Sequence, residues 1–582
     1  MVSDMAWFST LLLTGGLSAV VIFFVKLSAA RQLIWKLQRA GLVSLSIPRM
    51  GDFFPRPIIG VANPHQQPMP DVKLLMGHLL TIKTMSELFP SNTVMHSVFW
   101  EISKQFPDGF FYIDLWPFAR TTLVITTPSG AAQVEAFDLA VPDSIVHPIE
   151  TITGGPSILT MRIGPQWKRQ RRALSSGFSA SSMMALAPAV AEEVAVFRRL
   201  LLDRCSVGVS DVFQLEDLTL RLTFDVIGVV TFGTKLYCQT TNNELARAMR
   251  RQIEWTTFTA MNPLQRYLSL RPLVHWINGR RMDKYIAAEI EKRFEECFNT
   301  QVDKNQDTQR YPSTISLLLD DMVQQEEGVK TLHTHKESLK KTMTAQLRAY
   351  LFGGHDTTSS TLLYCYYLLS AHPNVLEKVM AEHDNVFGAG TASRERDSIC
   401  ENPNRLNQLP YTLAVIKEVL RIFPPAASMR EGRPGAEVID EQGRVYPTEG
   451  CNVWSLTLAI HHNPKYWVDP EDFSPERWLV GPEDPLYPVK GAWIPFQHGP
   501  KNCLGQPLAI LELKICLVMT LREFCITPAY EEWDVRHPRR GIKTINGNRA
   551  YQAEKGGGGA HPADGLPVRV TLRERRKHNE GR

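Results

Sequence analysis

No Cys-x-x-Cys pair occurs among the nine cysteines of this 582-residue chain. Their scatter argues against structural zinc and against a disulfide framework, and fits a reducing compartment. Charge of one sign is also missing in excess: 64 Lys and Arg face 60 Asp and Glu, a net +4, so nothing points to a nucleic-acid partner. There are no internal repeats. Between Met5 and Val25 there is no charged residue at all. That run is rich in Leu, Val, Ile, Phe and Trp, and about 20 apolar residues suffice to cross a bilayer as a helix. Lys26, Arg31, Lys36, Arg39 and Arg49 follow, with no acidic residue before Asp52. Basic flanks stay cytoplasmic, so the bulk of the chain is expected to face the cytosol. A cleaved signal peptide would carry positive charge ahead of the apolar run, and only Asp4 precedes it. Residues 1–25 therefore read as an uncleaved anchor helix in membrane lipid.

Residues 26–70 read as a basic, proline-rich linker: Pro48, Pro55, Pro57, Pro64, Pro68 and Pro70 fix φ and remove donors. Two β-rich runs between Phe110 and Thr127, around Pro117, predict a hairpin. From Pro128 to Phe423 the period is helical. It predicts helices over Trp167–Leu174, Met183–Leu202, Leu215–Thr231, Met282–Phe298, Leu339–Leu369, Val375–Val386 and Tyr411–Ile422. Short strands are expected near Ala436–Val445 and over Pro567–Leu572, with Gly556–Gly559 as a flexible loop and 576–582 as a polar tail. The fold class is mainly α with small β-sheets, one large domain over 71–575 behind the anchor.

The most informative segment is Phe496-Gln-His-Gly499-Pro-Lys501-Asn-Cys503-Leu-Gly505, which runs into an apolar helix from Leu504 to about Leu521. Gly499 permits a tight turn, and Gly505 lets the helix start approach a flat ligand. Pro507 suits the first helical turn. A sulfur there meets free N–H groups and the positive dipole end, which favours the thiolate as a metal ligand over a buried structural cysteine.

This loop resembles the haem-binding signature of the cytochrome P-450 family. Three further signatures stand in the family's order: Glu418-Val-Leu-Arg421, Phe473-Ser-Pro475-Glu476-Arg477-Trp478, and Gly353-Gly354-His355-Asp356-Thr357-Thr358. The resemblance spans roughly residues 70 to 575. It implies haem b held by Cys503 as axial thiolate, which pushes electron density into the iron and favours O–O cleavage. Phe496 would pack near the sulfur or simply in the core. Trp167 and Arg171, four apart on one helix face, and Arg430 would meet the haem carboxylates. Lys501 stands where the family usually has Arg; it supplies charge without the planar fork of donors. Gly505 would make room beside the porphyrin.

Two adjacent glycines inside a helix cost about 1 kcal/mol each, so Gly353 and Gly354 point to a close approach or a kink. By resemblance, Thr357 holds a water that supplies protons, Asp356 connects that relay to solvent, and His355 is a bystander. Glu418, Arg421 and Arg477 would form a structural triad under the haem loop. Substrate-facing segments would be the loop Ile149–Leu159, the region Glu244–Ile277, Ala349–Gly353 and Pro425–Met429. The implied protein is a single-pass monooxygenase of the endoplasmic reticulum membrane. It would take O2, electrons from an NADPH-cytochrome P-450 reductase docked on Lys168, Arg169 and Arg172, and a hydrophobic small molecule. The helix at Trp167 and the glycine-rich tail look like those of filamentous-fungal enzymes acting on polyketide or terpenoid metabolites. Two alternatives remain: a haem-thiolate isomerase or dehydratase that needs no reductase, and a non-catalytic membrane haem protein.

Overall fold

The helical period read from Pro128 onward becomes a stack of helices around one 43-residue helix, Val329–Ala371. The computed structural model describes residues 21–36, 69, 77–206, 211–258, 269–298, 313–325, 329–388 and 392–573. Leu215–Phe232 lies along the long helix and is apolar almost all round, so nearly every one of its side chains is buried. It stops at Gly233, whose φ of +70° gives the left-handed cap that a side chain resists. Ala180–Ser206 packs on it from one side and on Gln506–Thr520 from the other. These four helices form the main core, with Leu222, Val194, Ile515 and Leu517 fully buried among them.

The hairpin read around Pro117 pairs Phe110–Ile113 with Thr122–Ile125, Phe110 opposite Ile125. Two strands not foreseen extend it: Asn452–Ser455 runs parallel to Thr122–Ile125, and Ser428–Glu431 antiparallel to Asn452–Ser455. Both faces are covered. Phe110, Tyr112, Leu123 and Ile125 look into one apolar cluster, while Phe111, Ile113 and Val124 look into another, as period two requires. Further strands lie at Glu437–Ile439 and Val445–Pro447, and Pro567–Leu572 closes a sheet with Phe524–Pro528 and Phe213–Gln214. The other expected helices are present: some ends move by a few residues, as in Pro165–Ser175 and Pro410–Ile422, while the helix expected from Met282 begins at Arg271 and the long helix expected from Leu339 begins at Val329.

The N-terminal reading changes in one respect. Residues 21–36 are a single helix, crossing the boundary at 25/26 where anchor was expected to give way to linker. No Gly or Pro interrupts this stretch. Its far end docks on the first sheet: Ile34 is buried, Leu33 packs near Phe110 and Tyr112, and Arg31 pairs with buried Asp114. Its near end, Val21–Val25, is exposed and wholly apolar. The rest of the expected anchor, 1–20, most of the linker, 37–68 and 70, and the first residues of the expected large domain, 71–76, lie outside the described residues, as does the tail 576–582. Among the described residues one helix, Ala180–Cys205, is long and apolar enough to cross a membrane, and half of it is buried in the core just described.

Candidate active site

A cavity of about 1500 Å³ opens between the cysteine loop, the glycine step of the long helix and the first sheet. Sites for a single drug-sized ligand span about 300–1,000 Å³, so this one has room for a flat macrocycle and a second molecule together. The Cys503 sulfur opens on it while lying deep in the protein. The Cys503 N–H donates to the Phe496 carbonyl at 2.9 Å and closes the loop. Gly499, at φ +72°, makes the turn, and a Cβ there would stand 3.2 Å from Glu135 Cβ. Burial pushes the Cys503 thiol up, while the N–H groups of Gly505 and Gln506 and the Arg171 guanidinium pull it down. A divalent or trivalent metal would settle that opposition toward the thiolate.

The expected cations gather at this cavity. Arg171, Arg430 and Lys501 all line it. Arg171 hydrogen-bonds Asn502 and lies over the Trp167 ring, 5.7 Å from its centroid. Arg430 pairs with Glu135 at 3.1 Å, and Lys501 donates to the Met161 carbonyl at 2.7 Å. Burial and the neighbouring Arg430 lower the Lys501 ammonium to about 8. Trp167 differs from expectation: its indole N–H donates to the Ile158 carbonyl at 3.0 Å, because a buried N–H takes the nearest acceptor. Tyr350, not foreseen as a cofactor neighbour, adds a buried hydroxyl without a hydrogen-bond partner in the same wall, close enough to feel Arg171 and Cys503. One thiol, three cations and an orphaned hydroxyl around a wide apolar chamber fit a metal macrocycle bearing carboxylates.

The two glycines of the long helix turn out to have different reasons. A Cβ on Gly353 would meet nothing within 4 Å, since it faces the cavity; one on Gly354 would meet Ile227 Cδ1 at 2.6 Å. Gly353→Ala is therefore expected to stabilise the fold by about 1 kcal/mol through helix propensity. Gly354→Ala should destabilise it by about 1–3 kcal/mol through overpacking. Thermal melts of the two variants would check the opposite signs.

Thr357 opens on the cavity, its hydroxyl donating to the Gly353 carbonyl at 2.9 Å. Asp356 is buried rather than a surface acid on a kinked helix. It is buried beneath the hairpin Gln552–Glu554/Ala560–Pro562. Gly559 N–H donates to its Oδ2, and His561 Nε2 lies 3.2 Å from its Oδ1. Burial raises this carboxyl, but His561, His355 and the Gly559 N–H outweigh it and hold Asp356 well below the ordinary range. The glycines 556–559 are thus not a free loop. A Cβ at Gly556 would stand 2.6 Å from the Ile253 oxygen, and one at Gly558 2.8 Å from Asp356 Oδ2. His355 is buried, its Nδ1 2.6 Å from the Leu351 carbonyl and its ring edge-on to Phe224.

Glu418, Arg421 and Arg477 meet as a buried triad. Glu418 takes Arg421 Nη2 at 2.8 Å, Arg477 Nε at 2.9 Å and the Trp478 indole at 3.0 Å. Arg421 also donates to the carbonyls of His461, Pro470 and Asp472. A run of rings, Trp467, Trp478, Trp493 and Phe496, steps from the triad to the cysteine loop with centroids 5.6–5.9 Å apart. The Ile494 N–H donates to His461 Nε2 and fixes the same loop from the other side. Of these, Trp467, Trp493 and His461 were not foreseen from the sequence; an unusual density of Trp between 467 and 493 was the only signal of the two indoles.

Of the substrate-facing segments, Ile149–Thr153 is the end of a helix, Asp143–Thr153, where a loop was expected. Ile149, Leu159, Trp255, Phe258 and Met429 do line the cavity. Within Glu244–Ile277, residues 259–268 lie outside the described residues.

Comparison with known proteins agrees with this geometry. The cytochrome P450 family model matches residues 68–549. The cytochrome P450 monooxygenase polC of Polytolypa hystricis is 33% identical over 560 residues, 95% of this chain and 94% of that one. The cytochrome P450 monooxygenase acrF of Aspergillus aculeatus is 29% identical over 80% of this chain and 94% of its own. A crystal structure of the cytochrome P450DA heme domain shares the fold, with a TM-score of 0.66 at 20% identity over 88% of this chain and 98% of that one. With a cysteine loop and a glycine step around one chamber and a buried Glu–Arg–Arg triad behind the loop, the chain belongs to the cytochrome P450 family of haem-thiolate monooxygenases.

Proposed function

We propose that this protein oxidises a rigid, hydrophobic small molecule of the polyketide or terpenoid type, an intermediate of fungal secondary metabolism, using O2 and electrons from an NADPH-cytochrome P450 reductase. The observation that carries this reading is the chamber itself. Beyond the cysteine loop its wall is apolar, with Phe118, Phe258, Trp454 and Met429 in it, and it is too large for the cofactor alone. Relatives named as monooxygenases of Polytolypa hystricis, Aspergillus aculeatus and Penicillium ochrochloron support the metabolic setting.

Haem, when bound, supplies the oxygen-activating chemistry. The chain does the rest. Cys503 would hold the iron by its sulfur, Phe496, backed by the Trp493 ring, would shield that sulfur from water, and Arg171, Arg430 and Lys501 would take the carboxylates. Gly505 leaves the space beside the sulfur open, with a Cβ there falling 3.8 Å from Sγ. Thr357 holds a proton-bearing water at the cavity wall, and Asp356 behind it supplies the proton. The exposed basic residues Lys168, Arg169 and Arg172 face away from the cavity and suit an acidic reductase. The bare apolar end of the first described helix, Val21–Val25, suits a bilayer, which favours the endoplasmic reticulum membrane with the catalytic body in the cytosol.

Comparing metabolites of the host with and without the gene would identify the accumulating intermediate, which purified enzyme, reductase and NADPH should then convert. For the proton pair, Asp356→Asn and Thr357→Val are each expected to lower product formation by about 10²-fold or more, the scale of a lost general acid. NADPH oxidation should continue with peroxide as the product. Retained coupling in both variants would remove the pair from the mechanism.

A further inference from the structure

Among the described residues, Asp356 alone lines both the large chamber and a second cavity of about 180 Å³. The second cavity is polar: Glu216, Asp217, Arg250, Glu254 and Lys555 surround it, and the side chains of Asp217 and Lys555 are 42% and 51% exposed. Beside Asp356 sits His561, on the C-terminal hairpin, 2% exposed. Its Nε2 is 3.2 Å from Asp356 Oδ1 and its Nδ1 is 2.8 Å from Glu216 Oε1. Glu216 Oε2 in turn pairs with Lys555.

The hairpin is built to make this approach. Gly558 and Gly559 have no Cβ where one would fall 2.8 and 3.1 Å from Asp356 Oδ2, and Ser360 hydrogen-bonds the Ala560 carbonyl from the long helix. A histidine held between two buried carboxylates is not a packing solution, since an apolar residue would avoid two desolvated charges. We propose that His561, held between Glu216 and Asp356, is the positioning residue that sets the charge and direction of Asp356 and stores the proton that Asp356 passes on. The inference rests on the role proposed above for Asp356 and adds residues from two other elements to it.

The step moves one proton and breaks no other bond. The Nε2 proton passes to Asp356 Oδ1, giving a neutral ring with its Nδ1–H still beside Glu216, and a carboxylic acid. The acid gives its proton to the Thr357 side of the chamber and is a carboxylate again. Water of the outer cavity reloads Asp356, which returns the proton to Nε2. Charge supports the assignment: burial alone would lower the imidazole, but Asp356 and Glu216 outweigh it and raise His561 to about 10. Glu216, raised by burial, is brought down to about 2 by His561 and Lys555. The titratable groups facing this cluster are Asp356, Glu216, Lys555, His355, Arg250 and Tyr364.

Two measurements test it on the full-length protein. In isotope-labelled histidine NMR of the wild-type chain, the His561 resonance, assigned by its loss in His561→Gln, should remain that of an imidazolium well above pH 8. In Glu216→Gln it should titrate at lower pH. An ordinary titration near 6.5 in the wild type overturns the proposal. Second, NADPH-driven consumption of dioxygen, without added substrate and with reductase, is followed in H2O and D2O across pH. His561→Gln should keep its haem and its carbon-monoxide spectrum. It should also raise the share of electrons leaving as peroxide several-fold, enlarge the solvent isotope effect and shift the pH profile. If Asp356→Asn changes these quantities and His561→Gln does not, the inference fails and the role of Asp356 stands. If neither variant changes them, both fail together.

Discussion

Cys503→Ser is expected to abolish oxidation and, with it, the carbon-monoxide absorption band that marks thiolate-bound haem. The substitution changes one atom and leaves the loop intact, because the fold there depends on the backbone. The bond from Cys503 N–H to Phe496 O, the turn at Gly499 and the packing of Phe496 on Trp493 do not involve the sulfur. What changes is acidity. The N–H groups of Gly505 and Gln506 and the nearby Arg171 lower a thiol that burial raises. The same aids act on a hydroxyl whose intrinsic acidity is far weaker, so it stays protonated and neutral at physiological pH. A neutral oxygen donor lacks the electron push that favours O–O cleavage. Some variant protein should still bind haem, through the cations at Arg171, Arg430 and Lys501 and the apolar wall. Its spectrum should then be that of a weak oxygen ligand, and its NADPH-supported turnover should fall to background. Retained turnover with an unchanged spectrum would move the metal ligand elsewhere, and the other cysteines offer no substitute in this chamber: among the described residues, Cys503 alone lines it.

The cysteine loop was legible because its chemistry is local. Ten consecutive residues carry the sulfur, the turn glycine, the helix start and one cation, and a motif of that kind survives without any knowledge of the fold. The Glu418–Arg421 pair was legible for a similar reason, since a three-residue spacing on an apolar helix already requires a third partner. What could not be read is whatever joins distant segments. Nothing near Asp356 in sequence announces that His561 will lie against it, nor that the glycines 556–559 serve that approach. Read alone, those glycines mean freedom, and only the contact distances turn them into necessity. The same holds for Gly354, whose reason is Ile227 on another helix. The strand Asn452–Ser455 escaped for a different cause. All four of its residues are buried in a sheet covered on both faces, so the alternation that marks a half-exposed strand is missing.

Glu418→Ala should destabilise the protein by about 3–5 kcal/mol, the cost of leaving buried charge uncompensated. Two guanidiniums lose at once the one carboxylate that each pairs with among the described residues. Arg421 and Arg477 are 0–1% exposed, and neither can turn to solvent. Arg421 keeps three backbone carbonyls, but Arg477 keeps only that of Val468. The Trp478 indole and the Ser474 N–H lose their acceptor as well. The damage reaches the cysteine loop by contact. Trp478 is the second ring in the run that ends at Phe496, and Trp493, the third, is tied to the same helix through its bond to the Lys417 carbonyl at 3.1 Å. A chain of this size is expected to unfold irreversibly, so the effect is best read as a rate. The half-life of the haem absorption at elevated temperature should shorten by orders of magnitude relative to wild type. Glu418→Gln keeps the shape but not the charge, and should fall between the two. If Glu418→Ala holds its haem as long as wild type, the triad does not support the loop, and the aromatic run would have to be anchored by Trp493 and His461 alone.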